Sequence, residues 1–575
     1  MAVPPESEQL AADSSPRSVT PVRWRESRPR WTRGAWRWTR GAWRWTPLGC
    51  AAVYVVVLLA TLPSVIAAVY RNADVAAAPE IGQLISSAPD FAQTVLGNAP
   101  WYSALWFEQL TRDLPGHRTL WELAPWVLTL VGVGLVAWAA SRVAGRWAAA
   151  IIAVTCACAG TTLLPLQFAW SVHAVSYVHI CVLGAFIVPV ALGVNRSNGW
   201  ILRALCVLVA LVTGFGIASD KLVIVGGLAP LVVAGAVLWR LSSPDHARRV
   251  LTCVAGVAIG AVLVAVMATW VARSQHVVPA PFPITLAAVA QLPGHIEDLV
   301  GSLGVLGNAS FGGGNPSRSS LLAILTAAVV AIAMYTALRV GRAFAAELVV
   351  KGGGVRGRSP RAGARTAFLS YWAASAVLVS AAFVLTSLPR GLGSSRYVVT
   401  VAYAVVVILV VLAAGSPGAW KAAVAATGSS AIILAAAVSI DRRQIQAVAY
   451  APSQGVAEQL DRFATREHLT VGYAGYWDAS PLTWELNGRL RVYPVIRCGT
   501  NLCPFPYHKI NTWYLFRKLP RSFFVVDARL LRLHAYGAIS AVPTSWGTPT
   551  QVAHIGQLTV YVYPYNLAVK LLPEG

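Results

Sequence analysis

Eleven apolar runs, parted by short polar segments, fill most of the chain, at about 48–70, 123–141, 147–169, 174–194, 201–219, 221–239, 251–272, 319–338, 367–388, 397–414 and 421–440. At a helical rise of about 1.5 Å per residue, runs near 20 residues cross the roughly 30 Å of a bilayer's hydrocarbon. Each run is therefore expected to be a spanning helix. Beyond residue 440 the long runs stop and apolar residues alternate with polar ones instead. Leu469–Tyr476, Leu490–Val495, Ser522–Val526 and Leu558–Tyr563 read as strands, and Gln454–Arg466 reads as an amphipathic helix. Ser480-Pro481 reads as an N-cap followed by proline at the first helical position. The pattern predicts an α-helical polytopic membrane protein of about 11 transmembrane helices with a C-terminal α/β domain. Its divisions are a tail at 1–47, a multi-span region at 48–440 and a soluble domain at 441–575.

Charge supplies a direction. Of the 575 residues 56% are apolar and 12% charged, with a mean hydropathy of +0.59, which water alone does not accommodate. The net charge is +23, yet the excess is scattered through the amino-terminal tail and short inter-helix segments rather than gathered on one face, so no nucleic-acid partner is expected. The segment 339–366 carries Arg339, Arg342, Lys351, Arg356, Arg358, Arg361 and Arg365 against Glu347, whereas the loop 71–122 holds six acids and three arginines. Cytoplasmic loops collect Lys and Arg. This rule puts the amino-terminal tail in the cytoplasm, the loops 71–122 and 273–318 outside, and, with an odd number of spans, the domain 441–575 outside the plasma membrane as well.

The tail contains the tandem heptapeptide WTRGAWR at 31–37 and 38–44. Seven residues are too few for a solenoid unit, and interleaved Trp and Arg also suit an anionic headgroup layer, so a disordered repeat and an interfacial anchor both fit. No signal peptide is expected, because the first apolar run starts late and is long enough to span. Six of the eight cysteines lie in or beside apolar runs and read as small buried hydrophobes. Cys498 and Cys503 stand in the soluble tail as CGTNLC, where an oxidising compartment would join them.

Candidate chemistry gathers at the outer ends of the spans. Asp74 follows the first span directly, where partial desolvation suits a general base, though a helix cap would look the same. Ser219-Asp220-Lys221 and Ser394-Ser395-Arg396-Tyr397 interrupt apolar runs on the same side, and a fixed Lys and Arg there can hold a phosphate or merely snorkel. His173, Tyr177 and His179 lie near another outer turn without an acid or third ligand close in sequence, so packing is expected of them rather than metal binding. Glu297-Asp298 and the turn FGGGNPSRSS suggest a mobile loop able to close over a substrate. In the tail Tyr473, Tyr476, Trp477, Trp484, Trp513 and Tyr514 read as core more readily than as a sugar platform, and Asp478 and Asp527 as caps.

An acid just after the first span, a long first external loop with the stretch Asn98-Ala99-Pro100-Trp101-Tyr102, many spans and an external α/β tail together resemble the GT-C superfamily of membrane glycosyltransferases. The tail's succession GYAGYWDASPLTWELNG, RVYPV, CGTNLCPFP, NTWY and FFVVD also resembles the external tails of actinobacterial envelope proteins. The resemblance implies a polyprenyl-phosphate sugar donor, a cell-envelope glycan or protein acceptor, and Asp74 as the base that deprotonates the acceptor hydroxyl. Members often carry two adjacent acids where this chain reads Asn72-Ala73-Asp74. Lys221, Arg396 and Tyr397 would bind the donor. No cofactor is required by this scheme, although some members use a divalent metal. An envelope lipid transporter or flippase, or a non-catalytic envelope scaffold, competes with this reading.

Overall fold

A computed structural model describes residues 73–87, 94–97, 102–157, 173–193, 199–280, 284–306, 360–389, 393–414, 452–515, 521–532 and 538–571, together with Val56 and Ala60. The WTRGAWR repeat, the expected spans 48–70 (Val56 and Ala60 apart), 319–338 and 421–440, most of the basic segment 339–366 and the FGGGNPSRSS turn lie outside the described residues.

The first loop folds into helix α1 (Ala73–Ser87), strand β1 (Thr94–Leu96) and helix α2 (Tyr102–Thr111). Then come α3 (His117–Ala144), α4 (Arg146–Ala157), α5 (Ala174–Leu192) and α6 (Gly199–Ser219). A π-turn at Ile224–Leu228 runs into α7 (Ala229–Leu241), and α8 (Pro244–Ser274) ends near β2 (Val277–Pro279). Helix α9 (Leu292–Leu306) precedes α10 (Pro360–Leu385), and a 3-10 turn at Gly393–Val398 leads into α11 (Val399–Ala413). Among the described residues seven helices are long and apolar enough to cross a membrane: α3, α5, α6, 224–241, α8, α10 and 394–413. These coincide with seven of the eleven expected runs. The expected loop 273–318 is built up as far as residue 306, because β2 pairs with the first loop and α9 packs on α10 and the 393–398 turn.

Helix α5 is apolar on every side and accordingly lies inside the bundle, with Ile180, Leu183, Ile187 and Val188 buried. Helix α8 turns Leu251, Ile259, Val266 and Trp270 outward, Trp270 at 70% exposure, as suits a lipid-facing surface. Two buried hydroxyls donate to backbone carbonyls, one of them in the π-turn. The Ser375 hydroxyl donates to the Gly226 carbonyl in the π-turn (2.7 Å), and the Tyr371 hydroxyl donates to the Ile180 carbonyl (2.7 Å). A side chain at Gly226 would meet Ile180 at 2.8 Å, so the bare backbone there lets three helices approach.

The C-terminal region comprises α12 (Gln454–Arg466), β3 (Val471–Gly475), α13 (Tyr476–Glu485), β4 (Arg491–Cys498), β5 (Asn501–Pro504), β6 (Lys509–Ile510), β7 (Ser522–Asp527), α14 (Ala528–Arg532), β8 (Gln551–Ile555) and β9 (Leu558–Tyr563). Six strands form one sheet in the order β5-β4-β3-β7-β9-β8, with a parallel centre (β4-β3-β7) and antiparallel flanks. Ala457, Leu460 and Phe463 of α12 bury one face of it against Phe523, Val525, Val560 and Val562. Helix α12 has the expected bounds. Helix α13 does not begin at Ser480-Pro481, because the chain turns helical directly after Gly475 and leaves Pro481 inside the helix, where it removes one backbone bond.

A second, three-stranded sheet has the order β2-β1-β6. Val95 of the first loop pairs with Val278 on one side and Lys509 of the C-terminal region on the other. Three segments far apart in sequence are thereby fixed at one end of the helix bundle. Helices α1 and α13 pack together beside this sheet, and Arg118 at the start of α3 lies over the Trp484 ring (5.3 Å) and 3.6 Å from Glu485.

Candidate functional site

Asp74 occupies the first turn of α1, where a carboxylate complements the helix dipole. Its side chain is 18% exposed and faces the C-terminal region. The Tyr476 hydroxyl donates to Asp74 Oδ1 at 2.6 Å, and Arg396 Nη1 lies 3.6 Å from Oδ2. Tyr476 stacks on Phe505 (4.3 Å between centroids) and against His508, with Trp477 and Tyr507 around them. Burial, then the charge and hydrogen bond of Asp74, raise the Tyr476 pKa well above the ordinary value, which keeps the phenol a donor. Burial lowers His508 to about 4 against the pull of Asp74, so its imidazole is neutral at pH 7. Asp74 is thus held by one hydrogen bond and one ion pair from outside its own loop.

Arg396 links this carboxylate to a cavity. Its guanidinium lies over the ring of Tyr397 (5.4 Å), its carbonyl accepts from the Tyr177 hydroxyl, and the Tyr397 ring packs 4.8 Å from that of His173. Tyr397 and His173 line a cavity of about 1140 Å³. Val262, Val266 and Trp270 of α8 form one wall of it, Val379 and Phe383 of α10 another, and Ile224 and Val225 of the π-turn contribute further apolar surface. The same lining includes the polar groups Tyr102, Asp220, Lys221 and Arg273. Several of the α8 wall residues also belong to its lipid-facing surface.

Of the residues singled out from sequence, His173, Ser219, Asp220, Lys221 and Tyr397 line the cavity, whereas Arg396 is not in its lining and pairs with Asp74. Cys498 and Cys503 are joined across the β4–β5 hairpin, with Cα atoms 5.8 Å apart. Tyr473, Tyr476, Trp484 and Trp513 are buried, as core positions would be. Asp527 Oδ1 accepts from the Arg529 amide (2.7 Å) as a cap, but Asp478 is buried inside α13 and raised well above the carboxylate range, by burial and by the charge of Asp527.

His173 is buried and hydrogen-bonded, and its partner is an acid distant in sequence: Asp220, 47 positions away, whose Oδ2 is 2.5 Å from His173 Nδ1. One signal could have found it. Asp220 is the sole acid between Glu122 and Asp245, and a lone acid among apolar spans asks for a partner. Arg273, at the last turn of α8, was missed because basic residues at helix ends are common. Among the described residues no group of three or more His, Cys, Asp or Glu side chains could hold a metal ion. At Asp74 the neighbouring charge is the Arg396 cation.

No protein-family model matches the chain, and no curated protein does. Among solved structures the chain is similar to ArnT from Cupriavidus metallidurans bound to undecaprenyl phosphate, at 13% identity and a TM-score of 0.45, covering 90% of this chain and 99% of that one. It is similar also to the Archaeoglobus fulgidus oligosaccharyltransferase in complex with Zn and sulfate, at 14% identity and a TM-score of 0.45, covering 90% of this chain and 73% of that one. The likeness is one of fold and carries no substrate with it.

Proposed function

We propose that this protein is a membrane glycosyltransferase that moves a sugar from a polyprenyl-phosphate donor to a cell-envelope acceptor at the outer face of the plasma membrane. The supporting observation is the apolar cavity between α8 and α10, lined also by Lys221 and Arg273 and connected through Tyr397 and Arg396 to Asp74. Apolar walls suit a prenyl chain, and fixed cations suit a phosphate. Asp74, oriented by Tyr476 and Arg396, takes the acceptor proton as the acceptor oxygen attacks the sugar, and the phosphate leaves toward Lys221 and Arg273. In this scheme Arg396 positions the base, and Lys221, with Tyr397 beside it, meets the donor. The aromatic shell of Tyr476, Trp477 and Tyr507 borders the acceptor side.

The test compares envelope glycans and polyprenyl-phosphate sugars in a deletion strain complemented with wild type or Asp74→Asn. Loss of a general base removes about 10²- to 10⁴-fold of the rate. The variant should accumulate to normal abundance, leave the donor unspent and fail to restore the glycan. Full complementation by Asp74→Asn would remove the catalytic assignment. A transporter would instead show substrate movement across vesicles, and a scaffold would tolerate the Asp74 change but not loss of residues 441–575.

A further inference from the structure

Asp220 follows the C-terminal end of α6, where the helix dipole opposes a negative charge, and it is 7% exposed. Burial would raise its pKa, yet the carboxyl is held below the usual carboxylate range by the charge and hydrogen bond of His173, the Ser176 hydroxyl and the Leu222 amide. His173 Nδ1 and Ser176 Oγ lie 2.5 Å from Oδ2, and Leu222 N donates to Oδ1 at 2.9 Å. A carboxylate at Nδ1 fixes the imidazole's tautomer and supports a proton on the far nitrogen. That nitrogen, Nε2, has no hydrogen-bond partner among the described residues, although His173 is only 4% exposed and lines the cavity together with Lys221 and Arg273. A buried polar atom left unmatched beside a cavity is costly unless something fills the site.

We propose that His173, oriented by Asp220, is the proton donor to the departing phosphate. The inference rests on the glycosyl-transfer reading and adds a residue to it. The bond from the sugar carbon to the phosphate oxygen breaks and its electron pair passes to that oxygen, which takes the Nε2 proton of the imidazolium. The acceptor oxygen forms the new bond to the same carbon and gives its proton to Asp74. Imidazole and phosphate monoesters titrate in the same range, so such a transfer is close to balanced.

The experiment uses the full chain in lipid nanodiscs and, as probe, farnesyl phosphate carrying a methyl ester in place of the sugar. This diester does not itself titrate between about pH 5.5 and 8.5. Around His173 stand Asp220, Lys221, Arg273 of α8, Tyr102 of α2, Tyr397, and Tyr177 and His179 of α5. Of these only His179 is of a type that titrates in the same range, so His179→Gln is the control. Wild type is expected to bind the probe about tenfold or more tightly at about pH 5.5 than at about pH 8.5, the worth of a charge-assisted hydrogen bond. His173→Gln should flatten that profile, Asp220→Asn should move it to lower pH, and His179→Gln should leave it in place. Lys221→Gln should weaken binding at every pH. Wild-type binding whose pH profile survives His173→Gln overturns the inference and leaves the donor reading standing. Absence of wild-type binding at every pH overturns both.

Discussion

Replacing Glu80 by glutamine should strengthen the contact between the first loop and the C-terminal region, and the gain should grow with pH. Glu80 lies on α1 where it packs against α13, and it is 2% exposed. Burial raises its pKa to about 8, outweighing the Ser480 and Thr483 hydroxyls and the Arg491 charge, all of which favour the ionised form. In the unfolded chain the same group titrates near 4.5. A carboxyl with a raised folded pKa stabilises the fold fully below its unfolded value, and the contribution is lost as pH rises through the folded value. At about 1.4 kcal/mol per unit, the loss between pH 4.5 and 8 is on the order of 4 to 5 kcal/mol, an upper bound that relaxation of α1 would reduce. Glutamine keeps the shape without the charge. Hydrogen exchange of the α1 amides, compared between Glu80→Gln and wild type at the same pH, is the direct assay. The protection ratio should be near one at about pH 5 and rise to roughly 10- to 100-fold in favour of the variant at about pH 8. Other groups of raised pKa at this face, Asp478 among them, cancel in the ratio. A ratio that does not change with pH would refute the buried-carboxyl argument.

Arg118→Ala should loosen the same interface from its other side. The side chain is 39% exposed, so the cation–π contact with Trp484 and the pairs with Glu122 and Glu485 together are worth about 1 to 2 kcal/mol, read as earlier proteolysis of the C-terminal region. Replacing both Cys498 and Cys503 by serine should cost about 2 kcal/mol, the closure entropy of a short loop. In intact cells an impermeant maleimide should label them only after an impermeant reductant. Labelling without reduction would refute the bridge, and labelling only after permeabilisation would refute the outer placement.

The spans were legible because a bilayer imposes both a length and a composition, and all seven long helices fall on expected runs. Helix α12 was legible because one sheet face fixes its apolar stripe. What escaped is whatever depends on pairing at a distance. Strands β1, β2 and β6 are three, three and two residues long and carry no alternation to detect. The Tyr476 hydroxyl reaches Asp74 across 402 positions, and Arg396 reaches it from a span end that suggested a phosphate contact. Asp74 itself was legible by position, since an acid at the mouth of a helix bundle stands out against apolar sequence. The donors that orient it were not, because nothing in the local sequence announces them.

The small β2-β1-β6 sheet constrains the topology more strongly than hydropathy does. Strand pairing puts the first loop, the segment after α8 and the C-terminal region at one end of the bundle, so an even number of crossings must separate β1 from β2. Five of the long helices lie between them: α3, α5, α6, 224–241 and α8. Helix α4, twelve residues long, also lies between them, after the end of α3 and before His173, the residue that opens α5 at the cavity end. The opposite end then carries Arg142, Arg146, Arg240, Arg248 and Arg249. A positive-inside bias would make that end cytoplasmic, as the proposed function requires. On the proposed function, Asp74, the cavity's polar lining and the Cys498–Cys503 hairpin would then belong to the other face, where a lipid-linked donor and an envelope acceptor would meet.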